Sequence, residues 1–132
     1  MRTLTSIALA VLTTAFFGCA TRRSDCGAMV AQIQNDHIKW GGNYFGLQVM
    51  GLGEAEKRVL AGGTECRPFL IAALGDESRF VAAHVLLTHL QRGSYPVSAA
   101  EWNHLQVELL ADGSVSIPSG QKAQIQNLWN PR

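Results

Sequence analysis

The sequence predicts a mainly α-helical domain that ends in a β-hairpin and a final helix, which is an α+β fold. Between residues 25 and 91, apolar side chains recur at the spacing of three and four residues that places them on one face of a helix. From Leu105 the period changes to two, which is typical of strands, and a last helical segment follows Pro118. The 47% hydrophobic content is that of an ordinary globular protein.

Pairs of glycines divide the helical region. Asp25 is a candidate N-cap for a first helix to about Lys39, and Gly41-Gly42 ends it. Residues 44–61 predict a second helix, although its glycines weaken it, and Gly62-Gly63 ends this segment. The apolar positions of the first helix that follow helical spacing are Met29, Val30, Ile33 and Trp40.

Two further helices and a tight connection follow. Thr64 is a candidate cap for a helix over residues 65–74, in which Pro68 falls in the first turn, where its missing N–H costs nothing. A helix over residues 78–91 carries apolar side chains around most of its circumference, so we expect it to be the most buried element. Its principal apolar face consists of Phe80, Ala83, Leu86, Leu87 and Leu90.

The stretch from Arg67 to Leu90 resembles a HEAT-type helical pair. It has a proline early in one helix, Leu74-Gly75-Asp76 at the turn, and Arg79 followed by alanine and leucine positions in the next helix. Stacked repeats of this kind normally need about three units for stability. The resemblance therefore implies HEAT-like antiparallel helices within a small domain, and a family role that consists mostly of contacts between proteins.

The C-terminal alternation predicts a β-hairpin over residues 104–118. A two-residue loop at Asp112-Gly113 would place a glutamate opposite an isoleucine. A three-residue loop over residues 111–113 instead places the apolar side chains of both strands on one face, so we favour it. The pairs predicted on that face are Leu109 with Val115 and Val107 with Ile117. Ser119 is then a candidate cap for a last helix over residues 119–129. Its apolar residues Ile125, Leu128 and Trp129 are spaced to pack back onto the hairpin.

The N-terminus carries a three-part export pattern. Arg2 supplies a positive start, residues 4–17 carry no charge, and Phe16-Phe17-Gly18-Cys19 closes the segment. The uncharged stretch is too short and too rich in hydroxyl side chains to predict a permanent membrane span. The closing residues resemble the lipobox of bacterial lipoproteins, in which a small residue precedes an invariant cysteine.

The lipobox resemblance implies that residues 1–18 are removed as a signal peptide and that Cys19 receives the lipid. Two or more acyl chains hold a protein firmly at a membrane, whereas a single chain does not. The alternative is an ordinary signal cleaved near Ala20. Because Ala20 is not the aspartate that retains many such proteins in the inner membrane, the resemblance implies the outer membrane in a cell that has one. Residues 19–24 would form a tether, and residues 25–132 a single domain.

Export also bears on the other two cysteines. Cys26 and Cys66 would lie in an oxidising compartment, where a disulfide is allowed. Closing a loop of about 40 residues would stabilise the fold by roughly 4 kcal/mol in the chain-entropy model. The alternative is two separate buried thiols, which behave as small apolar side chains. We favour the disulfide.

Charge and motif content exclude several classes of function. Eleven basic and ten acidic residues give a net charge of +1 and are scattered along the chain, so we predict no nucleic-acid partner. His84 and His89 do not share a helix face as zinc-binding pairs do, so we predict that His84 is a hydrogen-bonded core residue. The sequence predicts no catalytic, cofactor-binding or metal-binding residue. We expect the three tryptophans to be core and lid residues rather than a ligand cage.

Two functions remain open at this stage. The first is a lipid-anchored envelope protein without catalytic activity, which binds another envelope protein or has a structural role. The second is a small exported enzyme or ligand-binding protein whose site is assembled from residues distant in sequence. The HEAT-like stretch favours the first. A deep pocket that gathers histidines with carboxylates would favour the second.

Overall fold

A computed structural model describes residues 25–43, 46–93, 101–118 and 120–131. It contains both helices and short antiparallel strand pairs, which confirms the α+β class. The helices are α1 (residues 25–30), α2 (Glu54–Gly62), α3 (Arg67–Ala73), α4 (Phe80–Arg92) and α5 (Gln121–Trp129). The strands are β1 (Lys39–Asn43), β2 (Gly46–Gly51), β3 (Glu101–Trp102), β4 (Leu105–Gln106), β5 (Glu108–Leu109) and β6 (Val115–Ser116).

Several predictions fall outside these residues. The signal peptide over residues 1–18, the tether over residues 19–24 with Cys19, and the cap Ser119 all lie outside the described residues. Within the described part, no helix is both long enough and apolar enough to cross a bilayer.

Residues 39–51 form an antiparallel β-ribbon, so the prediction of two helices across this stretch is wrong. Helix α1 ends at residue 30, a 3₁₀ turn over Asn35–His37 follows, and β1 then pairs with β2. In the ribbon Trp40 lies opposite Val49 and Gly42 lies opposite Leu47, so alternate residues face the core. Trp40 and Leu47 are both buried on that face. The burial of alternate side chains therefore determines the structure of this stretch, although its apolar spacing weakly favours a helix.

Helix α4 is the most buried element of the described chain, as predicted. Nine consecutive residues, from Phe80 to Thr88, are buried, and Leu87 is 0% exposed. The helix packs against α3 and α2, and its residues His84 and Thr88 contact the C-terminal elements. Together these contacts account for burial around its whole circumference. It begins two residues later than the sequence predicts, and Gly93 ends it in the left-handed conformation with φ 68°.

Asn35 caps the start of α4 although it lies far away in the sequence. The capping position itself, Arg79, makes no side-chain hydrogen bond to the helix. Instead Asn35 Oδ1 accepts the backbone N–H groups of Val81 (2.9 Å) and Ala82 (3.2 Å), while its Nδ2 donates to the carbonyl of Glu77 (2.6 Å). Two of the N–H groups that every helix start leaves unpaired are thereby satisfied.

Helix α3 begins without the predicted cap. Thr64 lies inside a 3₁₀ turn over Gly63–Cys66, and the residue before α3 makes no side-chain hydrogen bond to it. Pro68 occupies the first turn, as predicted.

The C-terminal region contains two hairpins, whereas the sequence predicts one. In β5–β6, Leu109 pairs with Val115, and the Leu110 N–H donates to the Ser114 carbonyl, which leaves the predicted three-residue loop over 111–113. The additional hairpin, β3–β4, turns through Asn103 and His104, both with positive φ (48° and 69°). Two such residues make the turn type that matches the twist of paired strands.

The last helix packs on the core by one face only. Helix α5 spans Gln121–Trp129 and follows Gly120, so it starts two residues later than predicted. Ile125 and Trp129 are buried, but Leu128 is 41% exposed. The prediction that Leu128 packs inward is therefore wrong.

Candidate functional site

A row of four rings crosses the core and joins four elements; we call it the aromatic row. Trp40 of β1 meets Trp102 of β3 edge-on, with ring centroids 5.6 Å apart. His84 of α4 lies between Trp102 and Trp129 of α5, at 5.8 Å from each. All three tryptophans are buried, as predicted, and His84 is 0% exposed. Edge-to-face contacts of this kind add to the stability gained from burial alone.

Both ring nitrogens of His84 are hydrogen-bonded inside the row. The Trp129 indole N–H donates to His84 Nδ1 at 2.9 Å, and His84 Nε2 lies 3.3 Å from the Trp102 carbonyl oxygen. An indole nitrogen can only donate and a carbonyl can only accept, so the ring carries its proton on Nε2 and is neutral. Burial lowers the pKa of His84 from 6.5 to about 4. The prediction of a hydrogen-bonded core histidine is confirmed.

Further polar contacts attach the C-terminal elements to the helices. Asn103 Nδ2 donates to Thr88 Oγ1 (2.6 Å), which in turn donates to the His84 carbonyl (2.9 Å). Gln121 of α5 bonds both backbone groups of Gln106 in β4, accepting its N–H and donating to its carbonyl. Gln126 donates to the Leu74 carbonyl at the end of α3 (2.8 Å). These bonds satisfy buried polar groups that would otherwise destabilise the fold.

The buried Glu56 and the partly exposed His37 form a second polar contact that the sequence did not predict. Glu56 Oε1 accepts the backbone N–H of Gln34 (3.0 Å) and lies 3.0 Å from His37 Nδ1. Glu56 is 0% exposed, and its Oε2 has no hydrogen-bond partner among the described residues. Gly53 leaves room for this carboxylate, because a Cβ at that position would lie 2.5 Å from Oε2. The pair fixes the turn that leads into β1.

Cys26 and Cys66 form a disulfide with their Cα atoms 5.0 Å apart. The bond links α1 to the turn before α3, and both cysteines are buried. Gly62 lies against it, since a Cβ there would be 2.6 Å from Cys66 Sγ.

A cleft of about 310 Å³ separates β1 from the β5–β6 hairpin. Its apolar lining comes from β1 and the residue before it, from α4, and from β6 and the segment after it: Ile38, Trp40, Val81, Val115 and Ile117. Its polar lining comes from the 3₁₀ turn, from β1 and from the hairpin loop: Asn35, Asp36, Lys39, Asp112 and Ser114. The volume lies at the lower end of the range for small-molecule sites and suits one or two side chains.

Only some of the charged groups that line the cleft are hydrogen-bonded to described residues. Lys39 Nζ donates to the Asp36 carbonyl (2.9 Å), and Asp112 Oδ1 accepts the N–H and hydroxyl of Ser114. These bonds from Ser114 hold the pKa of Asp112 below its ordinary value. Within the described residues, the Asp36 carboxylate and Asp112 Oδ2 have no donor. Two carboxylates against one ammonium leave the cleft with a charge of −1.

Two of the described strands that line the cleft, β1 and β6, each have an edge without a partner strand. Among the described residues β1 is paired only with β2, and β6 only with β5, so each strand keeps one edge without a partner strand. Such edges can accept an additional strand.

Sequence reasoning identified few of these residues. It placed His84 and the tryptophans in the core, and Asp112 in a turn, but it gave no role to Asp36, His37 or Glu56. In the part of the chain that the structure covers, no three histidine, cysteine or carboxylate side chains come close enough to hold a metal ion. The predicted lipidation site, Cys19, lies outside that part.

Comparison with protein-family models, with curated proteins and with solved structures found nothing that matches this chain.

Proposed function

We propose that this chain is a lipid-anchored envelope protein that acts without catalysis, by binding another envelope protein at the cleft between β1 and the β5–β6 hairpin. The N-terminal export pattern and its lipobox-like end support the anchor. The cleft supports the binding of a partner protein. The proposal rests on its combination of apolar walls, carboxylates and strands with an edge unpaired in the described chain.

The cleft suits an extended segment of the partner that carries a lysine or arginine. The aliphatic stem of such a side chain would contact the apolar walls, and its charged end would lie near Asp36 and Asp112. The backbone of the segment could pair with an open edge of β1 or β6, as peptides do when they add a strand to a sheet. The charge of −1 and the open edges therefore favour the same occupant.

The groups best suited to chemistry support a role without catalysis. His84 uses both ring nitrogens inside the core, and the Cys26 and Cys66 thiols are bonded to each other. Glu56 holds the turn before β1 through Gln34. Each group thus has a structural task.

Site-specific photocrosslinking in intact cells tests the contact. A photoreactive residue replaces Lys39, which is exposed at the cleft, or Gln124, which is exposed on α5 outside it. We expect one discrete protein adduct from position 39 and none from position 124. Equal labelling from both positions, or no protein adduct from position 39, would contradict the proposal.

Removal of the two carboxylate charges tests whether the cleft binds a basic segment. In Asp36→Asn/Asp112→Asn both carboxylates are replaced by neutral carboxamides, and the one introduced at position 112 can still accept the Ser114 bonds. We expect the adduct from position 39 to fall at least severalfold. The control Glu54→Gln/Glu65→Gln removes two exposed charges outside the cleft and should leave the adduct unchanged. An adduct that survives the first pair excludes a basic segment, and a small molecule retained by the cleft would support the enzyme or ligand-binding alternative.

A further inference from the structure

The polar contacts between α4 and the C-terminal elements converge on one imidazole. We call β3, β4 and α5 the C-terminal unit, because the two bonds between Gln121 and Gln106 join the helix to the hairpin. Among the described side chains, three hydrogen bonds connect this unit to α4. Two of them are on His84, from Trp129 and to Trp102, and the third joins Asn103 to Thr88.

A second proton on His84 is incompatible with this arrangement. Protonated Nδ1 would point its N–H at the indole N–H of Trp129, so that two donors would meet and the bond would be lost. The new charge would also be buried in a site that is 0% exposed.

Within the described part of the chain, the charged groups near the ring do not compensate for a positive charge on it. His104, in the β3–β4 turn, opposes a charge on His84. Arg67 of α3 lies 5.4 Å above the Trp129 ring, so α3 also contributes a cation. Thr88 and His89 follow on α4 itself, and neither is an acid. Burial lowers the pKa of His84 to about 4, with a smaller contribution from His104, although the backbone groups of Trp102 and Asn103 favour the charged form.

The rest of the fold is held independently of this interface. The disulfide ties α1 to the start of α3 covalently, and Asn35 caps α4 from the 3₁₀ turn before β1. None of these bonds involves the C-terminal unit. In the described residues, the side-chain contacts between this unit and the helices are all non-covalent. Loss of the unit therefore need not unfold the helices.

We propose that His84 is a pH switch whose protonation releases the C-terminal unit from α4. This inference does not rest on the proposed contact function. When the unit is released, His84 meets water and titrates near its ordinary pKa of 6.5, whereas in the attached state it titrates at about 4. Between these values the attached state therefore loses stability as the pH falls, by about tenfold in the equilibrium constant per pH unit. Above 6.5 the pH has no effect through this ring.

Regional hydrogen exchange of the oxidised protein between about pH 7.5 and 4 tests the switch. Protection factors, which remove the intrinsic effect of pH on exchange, should fall about tenfold per pH unit below about 6.5 in α5 and the β3–β4 hairpin. Those of α2 and α4 should stay constant, and the helical circular dichroism should change little. A parallel loss of protection in all elements would show ordinary acid unfolding and overturn the proposal.

Three variants assign the effect to the ring. In His84→Gln the carboxamide can accept from Trp129 and donate to Trp102 but cannot gain a proton, so protection of the C-terminal unit should be independent of pH. Trp129→Phe removes the opposing donor, so the fall in protection should stop at a higher pH than in the wild type, which tests the proposal even if the first variant does not fold. His89→Gln, on the same helix, should behave as the wild type. A wild-type pH response in His84→Gln, or an altered one in His89→Gln alone, would overturn the proposal.

Discussion

Leu87 shows how strongly single core residues contribute to this small domain. It is 0% exposed in the middle of α4, between elements that pack on the helix from two sides. We expect Leu87→Ala to lower the free energy of unfolding by about 2–5 kcal/mol, because the cavity collapses only partly. Domains of this size have a total stability of only about 5–15 kcal/mol, so the variant should be poorly recovered.

Urea denaturation of purified protein measures this loss. Leu128→Ala is the matched control, since Leu128 is 41% exposed on α5 and its truncation should cost less than about 0.5 kcal/mol. Equal stability of Leu87→Ala and the wild type would show that α4 is not the centre of the core.

Asn35 tests whether a side chain from another element caps α4. Its Oδ1 accepts two N–H groups at the helix start, so we expect Asn35→Ala to cost about 0.5–2 kcal/mol, the range for lost caps. The substitution also removes the bond from Nδ2 to the Glu77 carbonyl. Thermal denaturation measures the loss. Equal stability of Asn35→Ala and the wild type would contradict the capping role.

At the scale of the elements, Gly93 ends α4 in a conformation that other residues adopt with difficulty. With φ at 68°, an added Cβ is strained although the surrounding space is open. We expect Gly93→Ala to cost about 1 kcal/mol by urea denaturation. Arg92→Ala, one position earlier and still helical, should leave stability nearly unchanged. A neutral Gly93→Ala would mean that α4 ends elsewhere in solution.

The sequence predicts those helices and strands whose apolar spacing and turn residues give a clear local pattern. Helices α3 and α4 and the register of β5–β6 follow from local periodicity and from a glycine at the turn. The β1–β2 ribbon was missed because Gly42 follows Trp40 on the core face of β1, and because the exposed Met50 obscures the alternation of Leu47 and Val49 in β2. The β3–β4 turn was missed because Asn103-His104 lacks the glycine that usually marks such turns.

At the scale of the whole molecule, the disulfide is the only covalent link between distant parts of the described chain. It closes a separation of 40 residues between Cys26 and Cys66. Reduction, or the double change Cys26→Ala/Cys66→Ala, should lower the free energy of unfolding by about 4 kcal/mol in the chain-entropy model. Urea denaturation with and without reductant measures the difference. An unchanged midpoint, or thiols that react with alkylating agents before reduction, would contradict the bond.

The cleft could not be predicted from the sequence. Its walls combine residues 35–40 with residues 112–117, which only the folded chain brings together. Asp36 and Asp112 each appear in the sequence as ordinary turn residues, and nothing near either one indicates the other. The aromatic row was predicted only as three buried tryptophans and a core histidine, because the bonds on His84 depend on the docking of α5.

The proposed function depends most on a lipid anchor at Cys19. Intact-mass measurement of the protein extracted from membranes tests it directly. We predict a chain that begins at Cys19, lacks residues 1–18 and carries the mass of a diacylglyceryl group with or without an N-acyl chain. The Cys19→Ser variant should be absent from the membrane fraction. An unmodified mature chain that begins at another residue would contradict the anchor, and with it the proposal that the cleft operates at a membrane surface.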